Sequence, residues 1–199
     1  MIWESHYWKD ELIKMAANLR KRKRQMRWPE SSYAKLEQTI MLGFYSIRKL
    51  HESTKLSNST MDQDVPLIAF PATGKLITIR NWHHLDSLYK LEAPKSENRK
   101  LLFICHQFIH SYVFSPVFDN DDKLEGVLFA SDRQRNSALL QISIDQIAQI
   151  FEHVGNDYPS SARYVMNYQK GDYDVFDEKI NDLNNEEWVN TQIESFMKN

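Results

Sequence analysis

Arg99-Lys-Leu-Leu-Phe-Ile-Cys-His-Gln-Phe-Ile-His-Ser-Tyr-Val-Phe114 is the most apolar stretch of the chain, and its reading decides the fold. Closed by Ser115-Pro116, it is too long for an ordinary strand, so length alone predicts a buried helix from Arg99 to Phe114. On such a helix Leu102, Cys105, Ile109 and Tyr112 share one stripe, which reads as the core side. Arg99, His106 and His110 share another, because seven residues make two turns and four make about one.

Periodicity extends this reading outward. Trp8, Leu12, Met15 and Leu19 recur at helical spacing, which predicts a helix over about residues 5–25, broken by Trp28-Pro29. Leu36, Ile40, Phe44 and Ile47 predict a second long helix from about Glu30 to Thr54. After the polar loop Ser57 to Asp64, Leu67 to Phe70 and Lys75 to Ile79 read as a hairpin around Pro71-Ala-Thr-Gly74. A short helix is expected from His83 to Leu91. Beyond the central stretch, Gly126 to Ala130 and Ser137 to Ile142 predict a second hairpin around Ser131-Asp-Arg-Gln-Arg-Asn136. Asp145 is the candidate cap of a helix carrying Ile147, Ile150, Phe151 and Val154, stopped by Gly155. Short strands follow around Lys170-Gly171, and a last helix from Glu186 to Met197 carries Trp188 and Phe196. The expected fold is α+β, a helical bundle-like core with one or two small antiparallel hairpins or sheets. Residues 1–170 read as one domain. Residues 171–199 read as an acidic segment, packed on that domain or bound to a partner.

Composition narrows the class. With 42% hydrophobic residues, 5 Gly and 6 Pro, the chain is neither collagen-like nor a highly charged disordered polymer. Cys105 is the single cysteine, which excludes an internal disulfide framework and suits a reducing cytoplasm. No apolar run reaches membrane-spanning length, and Met1-Ile-Trp-Glu-Ser-His does not resemble a signal peptide, so a cytoplasmic protein without membrane contact is expected. The formal charge of −2 hides an asymmetry. Arg20-Lys-Arg-Lys-Arg24 with Arg27 is a dense basic run, whereas Gly171 to Asn199 holds eight acids and two bases. The basic run suits phosphates or a partner protein, and it equally suits a solvated helix end.

His106 and His110 have the spacing of the zinc-binding H-E-x-x-H motif, but Gln107 stands where that motif needs its general base, and an amide cannot take a proton. No metal and no cofactor are therefore expected. An imidazole held beside a guanidinium suits acid–base work on a phosphodiester, with Arg99 for the developing charge and His106 or His110 for the proton. Both histidines also fit a partly buried structural role. Arg80, beside Trp82, His83 and His84, reads either as a base-stacking cluster or as a core-covering loop. Arg133 and Arg135 on the second hairpin tip suit phosphates or an acidic partner.

The helix around Arg99, His106 and His110-Ser-Tyr112 resembles the signature helix of the HEPN superfamily, whose motif is an arginine and a histidine separated by four to six residues. Arg99 and His106 meet the upper limit of that spacing. In another alignment His110-Ser-Tyr112 matches the end of the Arg-Asn-x-x-x-His form, with Cys105 and His106 replacing the arginine and asparagine. The resemblance implies a helical bundle and metal-independent ribonuclease activity of the toxin, defence or mobile-element kind. The expectation is thus an RNA- or nucleotide-interacting protein, at its most specific a metal-independent endoribonuclease. His106, His110, Arg99 and Tyr112 would be catalytic, and Arg20, Arg22, Arg24, Arg27, Arg80, Arg133 and Arg135 would bind RNA or another phosphate-bearing ligand. The alternative is a non-catalytic interaction protein, such as an accessory or immunity-type factor. A protein partner and a homo-oligomer are left open.

Overall fold

The computed structural model describes residues 1–159, 161–169 and 171–178. Its elements in chain order are α1 (Ser5–Lys23), α2 (Glu30–Glu52), α3 (Asn58–Met61), β1 (Asp64–Pro71), α4 (Leu85–Leu88), β2 (Lys95–Lys100), α5 (Leu101–Ile109), β3 (Ser111–Phe118), β4 (Leu124–Ser131), β5 (Ala138–Ser143), α6 (Ile144–Gly155), β6 (Ser161–Asn167) and β7 (Asp172–Glu178). The last predicted helix, with Trp188 and Phe196, and most of the acidic segment lie outside the described residues, as does Lys170.

The central stretch is not one helix. Arg99 and Lys100 close β2, Leu101 to Ile109 form α5, and Ser111 to Phe114 open β3. Lys100 is extended at φ −63° and ψ 144°, so the helix cannot begin before Leu101. At the other end Tyr112-Val-Phe114 combines aromatic and β-branched side chains that suit a pleated surface. Pro116, expected as a helix stop, sits inside β3, where a proline is tolerated because β3 is an edge strand. Length could not separate one buried helix from a short helix feeding a strand.

That split overturns the expected helical bundle-like core with small hairpins. The protein instead builds a five-stranded antiparallel sheet in the order β2-β1-β5-β4-β3, with β6 and β7 as a separate two-stranded hairpin. β1 pairs with β2 and β5, and the predicted strand Lys75–Ile79 is loop. The helix expected from His83 to Leu91 shrinks to α4.

Sheet register sorts the side chains into two layers. Val65, Leu67 and Ala69 of β1, Val127 and Phe129 of β4, and Leu140 and Ile142 of β5 face a core shared with the four long helices. Phe70, Leu139, Ala130 and Val113 align across the other face, where residues 72–91 cover them with Ile77, Leu88, Tyr89 and Trp82. Four phenylalanines link the main layers. Phe129 stacks on Phe108 of α5 at 4.2 Å, Phe108 on Phe44 of α2 at 4.4 Å, and Phe44 meets the edge of Phe151 of α6 at 5.2 Å. Gly43 makes room for this column, because a Cβ there would fall within the Phe151 ring.

α6 starts as a capping box. The Ser143 hydroxyl accepts from the Gln146 N–H, and the Gln146 side chain accepts from the Ser143 N–H. The expected cap, Asp145, instead pairs with Lys23. α1 lies antiparallel along α6, held by that pair, by a two-point Arg20–Glu152 contact, and by buried Lys9 donating to the Asp157 carbonyl under the Tyr158 ring. Burial lowers the Lys9 pKa from its ordinary value, with nearby Asp157 opposing the shift.

Two measurements test this packing. Gly43→Ala should destabilise the protein by about 1–3 kcal/mol in urea unfolding, although alanine favours helix by up to about 1 kcal/mol, because the added methyl overlaps the Phe151 ring. Pro116→Val restores an N–H on the edge strand β3, and light scattering should show increased self-association with concentration.

Candidate functional site

α5 buries Leu101, Ile104, Cys105, Gln107 and Phe108 and turns His106 outward. His110 caps the helix, is exposed, and donates its backbone N–H to the His106 carbonyl at 3.1 Å. The two imidazoles therefore stand one turn apart on an open face. Phe103 shares that face, and the Arg99 guanidinium lies 5.0 Å from its ring centroid. Arg99 is not on the helix, as the sequence reading expected. It belongs to β2, and Glu97 on the same strand holds it through contacts of 2.9 and 3.2 Å.

The last turn of α2 runs beside α5 and brings groups that local sequence could not place there. Glu52 accepts from Arg48 Nε at 2.7 Å and from Lys49 Nζ at 2.6 Å. The His106 pKa falls below its ordinary value, first through partial burial, then through its neighbours Arg48 and His110, with Glu52 opposing. His51 shifts the same way, first through burial and then through Arg48, with Glu52 and Asp62 opposing. Both imidazoles are thereby biased toward the neutral form at neutral pH. Arg48 is thus the cation nearest in effect to His106, a role the sequence had given to Arg99.

Gln107 has a structural task. Its buried side-chain oxygen accepts from the Ser131 N–H at 3.1 Å and ties α5 to the end of β4. Cys105 is fully buried, and burial pushes its thiol up to about 12, so it is a core residue and not a nucleophile.

The turn from Asp132 to Ser137 meets the α5–β3 junction, where the Asp132 N–H donates to the His110 carbonyl at 3.1 Å. β3 is irregular between Ser111 and Val113, and this bulge directs Tyr112 toward the turn. The Arg135 guanidinium lies 3.8 Å above the Tyr112 ring. The two hairpin-tip arginines, read as a matched exposed pair, therefore differ: Arg133 is exposed, and Arg135 folds back.

The remaining predicted residues lie elsewhere. Arg20 is committed to Glu152, Arg22 donates to Asn18 at 2.8 Å, and Arg24 and Arg27 are exposed near the far end of β3. There Trp28 packs on Phe118, 5.2 Å between ring centroids, and Lys23 and Asp119 interact. The eight residues of β3 separate this end from His110 by roughly 20 Å or more at about 3.3 Å per residue. Arg80 is exposed on the loop at the sheet's other face.

Among the described residues, no group of three or more His, Cys, Asp or Glu side chains is arranged to hold a metal ion, and no helix is long and apolar enough to cross a membrane. The chain matches no protein-family model, no curated protein and no solved structure.

Proton NMR should find His106 titrating below the ordinary imidazole value of 6.5, and Arg48→Gln should raise its midpoint. The linkage is fixed in sign. A depressed imidazole binds fewer protons folded than unfolded, so His106 and His51 make the fold less stable as pH falls below about 6.5. An unchanged His106 midpoint in the variant would remove Arg48 as its electrostatic neighbour.

Proposed function

We propose that this protein binds RNA and that the face carrying His106 and His110 acts on the phosphodiester without a metal. The observation behind the reading is the pair of open imidazoles one helical turn apart, with the Arg48 guanidinium biasing His106 toward its neutral form. Neutral His106 accepts the proton of a ribose 2′-hydroxyl. The 2′-oxygen then attacks phosphorus, and the departing 5′-oxygen takes a proton from His110 in its imidazolium form. A 2′,3′-cyclic phosphate and a 5′-hydroxyl result. Arg48 or Arg99, released from its carboxylate, offers charge to the phosphoryl oxygens. Tyr112 lies at the border of this face and positions Arg135. The ribonuclease chemistry implied by the HEPN resemblance is part of this proposal.

The basic run has a lesser place in the reading. Arg20 and Lys23 serve α1–α6 packing, and Arg24 and Arg27 lie a strand's length from the histidines. They fit an outlying contact with a longer RNA.

A second reading, a non-catalytic interaction protein, draws support from Trp3 and Tyr7 at the start of α1, which are 90% and 69% exposed. Aromatic side chains so exposed are common anchors of protein interfaces.

Purified protein incubated with labelled RNA in chelator separates the readings. Wild type should release 2′,3′-cyclic ends, and His106→Ala and His110→Ala should each lose about 10²-fold or more in rate while still binding RNA. Absence of both cleavage and salt-dependent RNA binding would leave the interaction reading standing.

A further inference from the structure

Arg135 is the one cation among the described residues with a buried side-chain donor left unsatisfied. Its Nε atom is buried and has no hydrogen-bond partner, and its guanidinium makes no ion pair among the described residues. A buried, unpaired donor on a permanently charged group is costly, and the Tyr112 ring 3.8 Å beneath it returns only part of that cost. Yet the surroundings hold Arg135 firmly. Tyr89, almost fully buried, donates its hydroxyl to the Arg135 backbone carbonyl at 2.9 Å. The Ser131 carbonyl accepts the Arg135 N–H at 2.9 Å, and the β3 bulge presents Tyr112. With its backbone held by these bonds, its guanidinium laid on the Tyr112 ring and its Nε unpaired, Arg135 is organised for an acceptor that arrives from outside.

We propose that Arg135, stacked on Tyr112, is a phosphate-binding subsite. The inference rests on the RNA reading above and adds to it the place where a neighbouring phosphate of the bound strand is held. The planar fork of Arg135 fits two oxygens of a phosphate or of a carboxylate. Its surroundings favour the phosphate, because exposed Arg133 adds a second cation two residues away in the same turn and His110 is tied to that turn through Asp132. Asp132 is the one carboxylate in the turn, so the local charge stays positive. Arg135 holds the strand beside His110, two residues from Tyr112, and so acts as a positioning residue.

The test follows the Arg135 Nε–H signal by heteronuclear NMR in the full-length protein while inorganic phosphate, or a 2′-O-methyl oligoribonucleotide that cannot be cleaved, is added. Both ligands should shift this signal. Arg135→Gln should weaken oligonucleotide binding roughly 10- to 100-fold, and Arg135→Lys should recover only part of the loss because it keeps the charge without the fork. Tyr112→Leu, which removes the ring beneath Arg135 but keeps the guanidinium, should weaken binding to a smaller degree, and thermal melts establish that each variant is folded. If the oligonucleotide binds wild type and Arg135→Gln equally and leaves the Nε–H signal unmoved, the subsite is wrong and the RNA reading survives. If phosphate shifts the signal but RNA is neither bound nor cut, the subsite stands for free phosphate or a mononucleotide and the RNA reading falls. A polyglutamate peptide that displaces phosphate at equal concentration would overturn the phosphate assignment in favour of an acidic protein.

Discussion

The column Phe129–Phe108–Phe44–Phe151 is the contact on which the rest of the architecture depends. It runs from β4 through α5 and α2 to α6, so one set of rings joins the sheet to three of its covering helices. Each aromatic pair adds about 0.5–1.5 kcal/mol beyond the area it buries. Its larger effect is geometric. Residues two apart on a helix point about 200° apart. Once Phe108 is turned into the column, His106 must face outward, and His110, at the C-cap two residues beyond, is exposed as well. The exposure of the candidate site is thus a consequence of core packing. Gly43 belongs to the same arrangement, because α2 can approach Phe151 closely only where it lacks a side chain.

Helical periodicity carried the parts of the fold that obey one period for several turns. α1 and α2 fall where Trp8, Leu12 and Leu19, and Leu36, Ile40 and Ile47, placed them, and α2 begins at Glu30 after Pro29. The β4–β5 hairpin likewise follows its alternating apolar runs and polar turn. The central stretch failed because its period changes from helical to strand-like at His110 with no glycine or proline to mark the change. Apolar content is nearly uniform across that point, and only Tyr112-Val-Phe114 hints at a strand. Pro116 was misleading for the same reason, since whether a proline stops a helix or lines a sheet edge depends on strand order, a long-range property. The sheet as a whole was hidden because β1 pairs with partners more than 25 residues away in the chain, β2 and β5. β2, with Lys95, Glu97, Arg99 and Lys100, has none of the apolar alternation expected of a strand; it is a charged edge, which also resists pairing with other chains.

The candidate residues could be named from the sequence, but their arrangement could not. The four-residue spacing of His106 and His110 put both on one helix face and left open whether that face is buried; in the structure both are exposed. Arg99 lost its place on the helix because Lys100 is extended, and Arg48 gained a role that no local pattern could announce. Electrostatics show a similar redistribution. The basic run, the most conspicuous charge feature of the sequence, spends Arg20 and Lys23 on acids of α6. Arg135, which looked like one of two equivalent surface cations, is instead held against an aromatic ring with its Nε unpaired. Counting charges along the chain finds where cations are dense; only tertiary structure shows which of them are free.

The latch between α1 and α6 has a consequence for how the chain comes to be folded. Lys9, Arg20 and Lys23 find their partners at Asp157, Glu152 and Asp145, more than 120 residues further along. During synthesis the first helix therefore leaves the ribosome long before the surface it packs against exists. α2 can shield only part of its apolar stripe in the interval. Docking of α1 on α6 cannot precede synthesis of α6, a contact of high sequence separation. The nascent chain consequently passes through a stage in which Leu12, Ala16 and Leu19 are uncovered, and the cations beside them keep that exposed stripe in solution.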